Sequence, residues 1–261
     1  MFSVTPALLA IIFASGIGAG SLGAMLGIGG GVFLVPLLNL GLGLPIATAA
    51  AISLATVIAT SSSVSARGAG EGMINLRLGM VLEVATAAGS LLGGLTVHLL
   101  SQPTLQRLFG VVAAGAAMMT LGRLNRRNVI CDLSVDPGLL GGRFHDVENE
   151  CTVIYQVKRL PLGIAASFVA GNLSSLLGIG GGILKVPVLN AWCGVPLRAA
   201  AATSAFMIGV TATAGAVIYY GRGQLVPSLA AAAVLGVELG AAVGFRLSGR
   251  LPARWLKMLL A

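Results

Sequence analysis

Six runs of this chain carry no lysine or arginine and at most one carboxylate each: Ala47 to Ala66, Leu78 to Leu100, Leu108 to Leu121, Leu160 to Leu177, Ala199 to Tyr220 and Leu225 to Phe245. Several reach the ~20 residues that cross a hydrocarbon core of about 30 Å. Only helices and closed barrels satisfy their own backbone in lipid. Barrel strands alternate apolar and polar residues, and these runs do not. The prediction is an all-α polytopic membrane protein. Composition agrees: 56% of the 261 residues are hydrophobic and 9% charged, against roughly 25% charged in a soluble domain. A cytosolic enzyme and a disordered chain are both excluded. The first 26 residues lack a basic n-region, so they read as an opening membrane helix rather than a signal peptide.

The second constraint is a duplication. Leu26 to Asn39 reads LGIGGGVFLVPLLN and Leu177 to Asn190 reads LGIGGGILKVPVLN, identical at ten of 14 positions. At the same offset Pro45 meets Pro196, Ser53 meets Ser204 and Thr60 meets Thr211. A four-residue slip then aligns Leu82-Glu83-Val84 with Val237-Glu238-Leu239, and brings Gly89 to Gly244 and Gly94 to Gly249. The chain divides into a first transmembrane repeat, 1–122, a polar linker, 123–159, and a second repeat, 160–261. The last candidate segment, Pro252 to Ala261, is ten residues long and too short to span; it reads as a truncated or an interfacial helix.

These paired GIGGG and VP-x-LN signatures, in duplicated halves over nearly the whole chain, resemble the sulfite exporter TauE/SafE family. The resemblance implies a bacterial inner-membrane carrier for sulfur-containing anions such as sulfite or organosulfonates, read most often as an exporter. It also implies about eight membrane helices.

Each glycine cluster interrupts an apolar stretch. Three adjacent glycines cost a helix interior roughly 1 kcal/mol each relative to alanine, so a break is expected, with new half-helices starting at Val32 and Ile183. Unpaired N–H groups at a helix start hold anions, and glycine lets an anion approach. Two such breaks in corresponding halves point to a transporter's substrate site. The candidate binding residues are Gly29, Gly30, Gly31, Asn39, Ser53, Gly180, Gly181, Gly182, Lys185, Asn190 and Ser204. Tight helix crossing is the competing reading of the glycines, helix tethering that of the asparagines, and snorkelling that of Lys185. Thr60 and Thr203 are further polar positions for a path, unless they bond only their own backbone.

Glu83 and Glu238 lie in apolar helices. Desolvation favours a neutral carboxyl, so each is a candidate to carry a proton with the anion; the alternative is a structural pairing with Arg77 or Arg246. The net charge of +8 is no nucleic-acid footprint, because the basic residues sit at helix ends and in loops. No cofactor motif appears, since GIGGG lacks the Lys-Ser/Thr pair of a nucleotide loop. Cys131, Cys151 and His145 share the linker without metal-ligand spacing, so no metal is expected. Cys193 reads as packing. No enzyme constellation is present, with His98 and His145 the only histidines.

Charge sets the topology. Four crossings per half make the halves parallel, with nine Lys or Arg on the linker side and six opposite. If Val32 to Leu44 and Ile183 to Val195 also complete crossings, the halves are inverted and the count becomes 13 against two (Lys185 apart). The positive-inside rule favours inverted repeats with a cytoplasmic linker. A 13-residue helix gives only about 20 Å, so extended glycine must supply the remaining ~10 Å. In the linker, Asp136-Pro137-Gly138 signals a turn and Cys151 to Val157 a strand. Cysteines there are expected to be reduced.

Overall fold

The computed structural model describes residues 5–26, 29–68, 72–121, 136–146 and 151–248. The first half contains α1 (Pro6–Leu26), the half-helix α2 (Gly31–Pro36), α3 (Ile46–Gly68), α4 (Leu76–Thr96) and α5 (Gln102–Leu121). A hairpin of β1 (Gly142–Asp146) and β2 (Cys151–Tyr155) follows. The second half contains α6 (Leu160–Leu177), the half-helix α7 (Gly182–Ala191), α8 (Leu197–Gly221) and α9 (Pro227–Ser248). Six of these helices are long and apolar enough to cross a membrane, and the protein is a multi-pass membrane protein. The expected C-terminal segment lies outside the described residues.

Both breaks form where the glycines stand, one residue earlier than expected. α2 and α7 start at Gly31 and Gly182, behind Gly30 and Gly181, which both have φ +75°. A left-handed residue at this place ends one helical run and starts another, and glycine alone takes it without strain. Pro36 has no N–H to give the turn before it. The chain past it winds more widely, as a π-helical turn over Leu37–Gly41, closed by Leu42 N–H to the Leu37 carbonyl at 3.1 Å. α7 carries Pro187 without that change.

The halves keep one spacing throughout. Gly31 and Gly182, Ile46 and Leu197, and Leu76 and Pro227 open equivalent helices, each pair 151 residues apart. Packing keeps it too. Gly89 and Gly93 of α4 sit on the carbonyls of Phe168 and Asn172 in α6; Gly240 and Gly244 of α9 sit on those of Ile17 and Ser21 in α1. The four-residue slip is therefore wrong. A slip of four positions is close to one helical turn and preserves the face, so apolar pattern cannot detect it. The consequence is that Glu83 corresponds to Val234, and Glu238 to Ala87.

Small residues build the seams, as lipid-embedded packing requires. Along α1 and α9, Phe13, Ile17 and Ser21 meet Gly236, Gly240 and Gly244 in rising order, so these helices run parallel. α4 and α6 do the same. The equivalent helices α3 and α8 meet in opposite order: Ser61 donates to the Ala205 carbonyl, while Leu54 lies against Gly215. They run antiparallel.

The linker is ordered where it is described. β1 and β2 pair antiparallel, Phe144 opposite Val153, close to the strand expected from Cys151. Phe144, Val153 and Tyr155 form one apolar cluster with Leu78, Leu82, Leu189 and Cys193 of the bundle. Asn75 Nδ2 donates to the Leu140 carbonyl at 2.8 Å and to the Tyr155 hydroxyl at 3.1 Å, and its Oδ1 caps α4 at Leu78 N–H. Burial raises the Tyr155 phenol above the ordinary tyrosine value. Cys131 lies outside the described residues, as does the Cys151 side chain. Cys193 is buried with a free thiol, as expected.

Candidate functional site

The two glycine breaks meet. Gly29 and Gly180 both lie against Val57, midway along α3; a Cβ on Gly29 would come 3.1 Å from Val57 Cγ1 and 2.8 Å from Ile208 Cδ1, and one on Gly180 2.7 Å from Val57 Cγ1. Val57 and Ile208 are themselves equivalent residues. The Ser53 hydroxyl reaches across to the Gly178 carbonyl at 2.5 Å, and a Cβ on Gly31 would stand 2.8 Å from that same carbonyl. Each break also leans on its own first helix: Gly30 against the Ala19 carbonyl, Gly181 against that of Ala170. Gly29, Gly30, Gly180 and Gly181 are thus demanded by packing as well as by φ, and Gly31 by packing, so close crossing is present at these positions. Ser204 is fully buried and its hydroxyl finds no partner among the described residues. The residue that would match Gly178 there is Gly27, which is not among them.

The asparagines are not at the breaks. Asn39 Nδ2 donates to the Leu44 carbonyl at 2.7 Å, and Asn190 Nδ2 to the Val195 carbonyl at 2.9 Å. Each ties the far end of its half-helix to the chain five residues on, about 12 Å along the axis from the glycines. Asn39 Oδ1 also accepts from Gln106 Nε2 at 2.7 Å. Tethering accounts for these amides. Around Asn39 and Gln106 lies an apolar recess lined by Val35, Pro36, Leu40, Ile46 and Phe109.

Lys185 does not snorkel. It stands in the first turn of α7, its side chain 1% exposed, with Nζ 3.3 Å from Glu83 Oε2 and 3.0 Å from Thr211 Oγ1. The Thr211 hydroxyl donates in turn to Glu83 Oε1 at 2.6 Å. Lysine, threonine and carboxylate close a triangle between α4, α7 and α8. The partner of Glu83 is therefore Lys185, from the other half, and not Arg77 or Arg246. A charged pair taken out of lipid and water is tolerated where charge and hydrogen bonds are both matched, and here both are. Thr211 completes the match, and the sequence offered it only as the counterpart of Thr60. Thr60 itself donates to its own helix, at the Thr56 carbonyl.

A band of hydroxyls continues from the triangle. Ser90 donates to the Thr211 carbonyl at 2.8 Å and meets Ser175 Oγ at 2.8 Å; Tyr219 donates to the Ser175 carbonyl at 2.8 Å. Thr203 belongs elsewhere, accepting from Asn75 N–H at 3.0 Å. Glu238 has a different partner: it accepts from the Ser63 hydroxyl of α3. No group of three metal-ligating side chains occurs among the described residues.

A family model described as sulfite exporter TauE/SafE matches residues 12–261 of the chain. The chain is also similar to the probable membrane transporter protein YunE of Bacillus subtilis (strain 168), with 25% identity over 257 residues, 96% of this chain and 92% of that protein. No solved structure matches it significantly.

Proposed function

The chain belongs to the sulfite exporter TauE/SafE family, and from that premise we propose that it is a secondary carrier that exports small sulfur-containing anions, sulfite or organosulfonates, across a bacterial inner membrane with the proton gradient. Membrane transport itself follows from the family and from the transporter relative. The anion class, the direction and the coupling ion are the proposal. The observation that carries it is the buried Lys185 at the start of α7, beside the place where two matched helix breaks meet. A helix start and a lysine set positive potential inside the bundle, where an anion needs it. Glu83, held on that lysine, is the proton-carrying candidate, and Glu238 is not its counterpart.

We read the halves as inverted repeats. The support is the antiparallel course of α3 and α8, equivalent helices in the two halves. In that topology each break and its half-helix make one crossing together, and 13 basic residues against two fall on the linker side, which makes the linker cytoplasmic. Alternating access is then an exchange of roles between the halves around the shared centre.

The test is ligand-dependent stability of the purified protein against sulfite, sulfate, sulfoacetate, taurine and thiosulfate, followed by flux into vesicles. A binding anion raises the melting temperature in proportion to the logarithm of its concentration above Kd, and a carrier saturates. No shift with any of the five removes the anion class. A flux that grows linearly with concentration marks an anion channel instead.

A further inference from the structure

The triangle of Lys185, Thr211 and Glu83 spans the two halves and has no counterpart at the equivalent place. Its equivalents are Leu34, Thr60 and Val234, an apolar pair beside a threonine bonded to its own helix. A buried neutral pair is self-contained, and a third charge has no place in it. Yet an oxyanion attracted to Lys185 must use the donors that Glu83 already holds, Lys185 Nζ and the Thr211 hydroxyl. If it displaced an ionised Glu83, two negative charges would face one lysine in a site closed to water.

We propose that Glu83 is a built-in stand-in for the transported anion: it holds Lys185 and Thr211 while the site is empty, and it gives them up to the arriving oxyanion by taking one proton. The inference rests on the carrier reading and adds its stoichiometry and its gate. The proton comes from a hydronium ion on the side from which the anion enters: one O–H bond breaks there, releasing water, and one O–H bond forms at Glu83, whose carboxylate becomes a carboxylic acid. The site is neutral in both states, with Lys185 balanced first by Glu83 and then by the anion. A single triangle per chain fixes one proton per charge that the anion places on Lys185.

No other described group offers an alternative proton site at this place. α6 has no charged or titratable side chain between Leu160 and Leu177. α7 has Lys185 alone; α5, packed on α7, has only Arg107, and α3, packed on α8, has no titratable side chain between Ile46 and Ala66. α8 has Arg198 in its first turn, 13 residues before Thr211, with Tyr219 and Tyr220 at its other end; α4 has Arg77 in its first turn besides Glu83. Glu238 sits with Ser63 on α9 and α3.

The experiment adds methanesulfonate or isethionate, monoanions that hold no titrating proton near neutral pH, to the purified full chain in weakly buffered detergent solution with a pH indicator. The expected result is one proton taken up per anion bound, and a Kd that rises about tenfold per pH unit on the alkaline side. Glu83→Gln is expected to bind the same anion with no proton uptake and a flat Kd over that range, while Glu238→Gln keeps the wild-type uptake. Anion binding to wild-type protein without proton uptake overturns the proposal and leaves the carrier reading standing. Uptake that persists in Glu83→Gln overturns it as well. The wild-type pH series needs no variant, so a poorly folding Glu83→Gln does not shield the idea. If neither probe binds wild-type protein, and the wider anion panel also fails, the carrier reading falls first and the proposal with it.

Discussion

The two halves share a scaffold and differ in chemistry. Gly30 and Gly181 have the same φ, lean on equivalent alanine carbonyls and launch equivalent half-helices. Asn39 and Asn190 make the same tether five residues on. Around this common frame, one half places Lys185 where the other has Leu34, and receives Glu83 where the other receives Val234. Ser90 and Ser175, in contact at 2.8 Å, are matched by Ala241 and Ala24, which pack in an apolar cluster. Duplication thus accounts for the break and the crossing, while only one of the two equivalent places carries the charged pair. On the proposed carrier mechanism, the symmetric frame would serve exchange between two states and the single charged place would set the stoichiometry at one.

The scaffold side of this comparison is broken most severely at the glycines. A leucine at Gly181 meets φ +75° and a carbonyl 3.1 Å from its Cβ; at Gly30 the carbonyl is 2.7 Å away. The left-handed conformation alone costs a non-glycine residue about 1–2 kcal/mol, and the clash adds to it. Gly30→Leu and Gly181→Leu are each expected to abolish vesicle transport. Because the positions are equivalent, the two losses should match. Full transport in one variant and none in the other would mean that the breaks are not equal partners.

The chemical side is tested at Lys185. Removing one partner of a buried pair leaves the other charge unmatched and costs about 3–5 kcal/mol, so Lys185→Met should lower the melting temperature sharply. Lys185→Met with Glu83→Gln removes both charges and should recover most of that loss without recovering transport. The corresponding change in the other half, Leu34→Met, is expected to cost less than ~1.5 kcal/mol. Equal penalties for Lys185→Met and Leu34→Met would mean that the triangle contributes no more than ordinary packing.

The scaffold was far easier to read than the site. Helix positions follow from long apolar runs: α6 was expected from Leu160 to Leu177 and spans those residues, and α3 extends the expected run by a residue or two at each end. α5 begins at Gln102, six residues before its apolar run, because the polar first turn of a helix leaves no hydropathy signal. The site depends on register between distant segments. Glu83 and Lys185 are 102 residues apart, and nothing local to either names the other. The similarity of Leu82-Glu83-Val84 to Val237-Glu238-Leu239 drew the two glutamates together, whereas the glycine seams on Phe168 and Ile17 fix them one turn apart. Lys185 was legible as a buried charge. Its partner and the bridging Thr211 needed the fold.

A smaller effect is expected at Ser53, which latches α3 to the opposite break through the Gly178 carbonyl. Losing a buried hydroxyl donor costs about 1 kcal/mol. Ser53→Ala should lower stability by that amount and slow exchange between states less than any glycine variant. An undiminished melting temperature would show that the Ser53 bond is not needed to hold the breaks together.

The smallest effect separates the two glutamates. Glu238 is only partly buried, accepts from Ser63, and has no cation in its bond or ion-pair set among the described residues. Glu238→Gln keeps an acceptor for the Ser63 hydroxyl, so stability should change by less than ~1 kcal/mol. The pH dependence of transport should stay that of the wild type, because no charge on Lys185 depends on Glu238. Measured beside Glu83→Gln in the same vesicles, the pair forms a direct contrast: a flattened pH profile for Glu83→Gln and an unchanged one for Glu238→Gln assigns the proton to the half-spanning triangle. The reverse pattern would move proton coupling to the α3–α9 contact and leave Lys185–Glu83 as a structural pair.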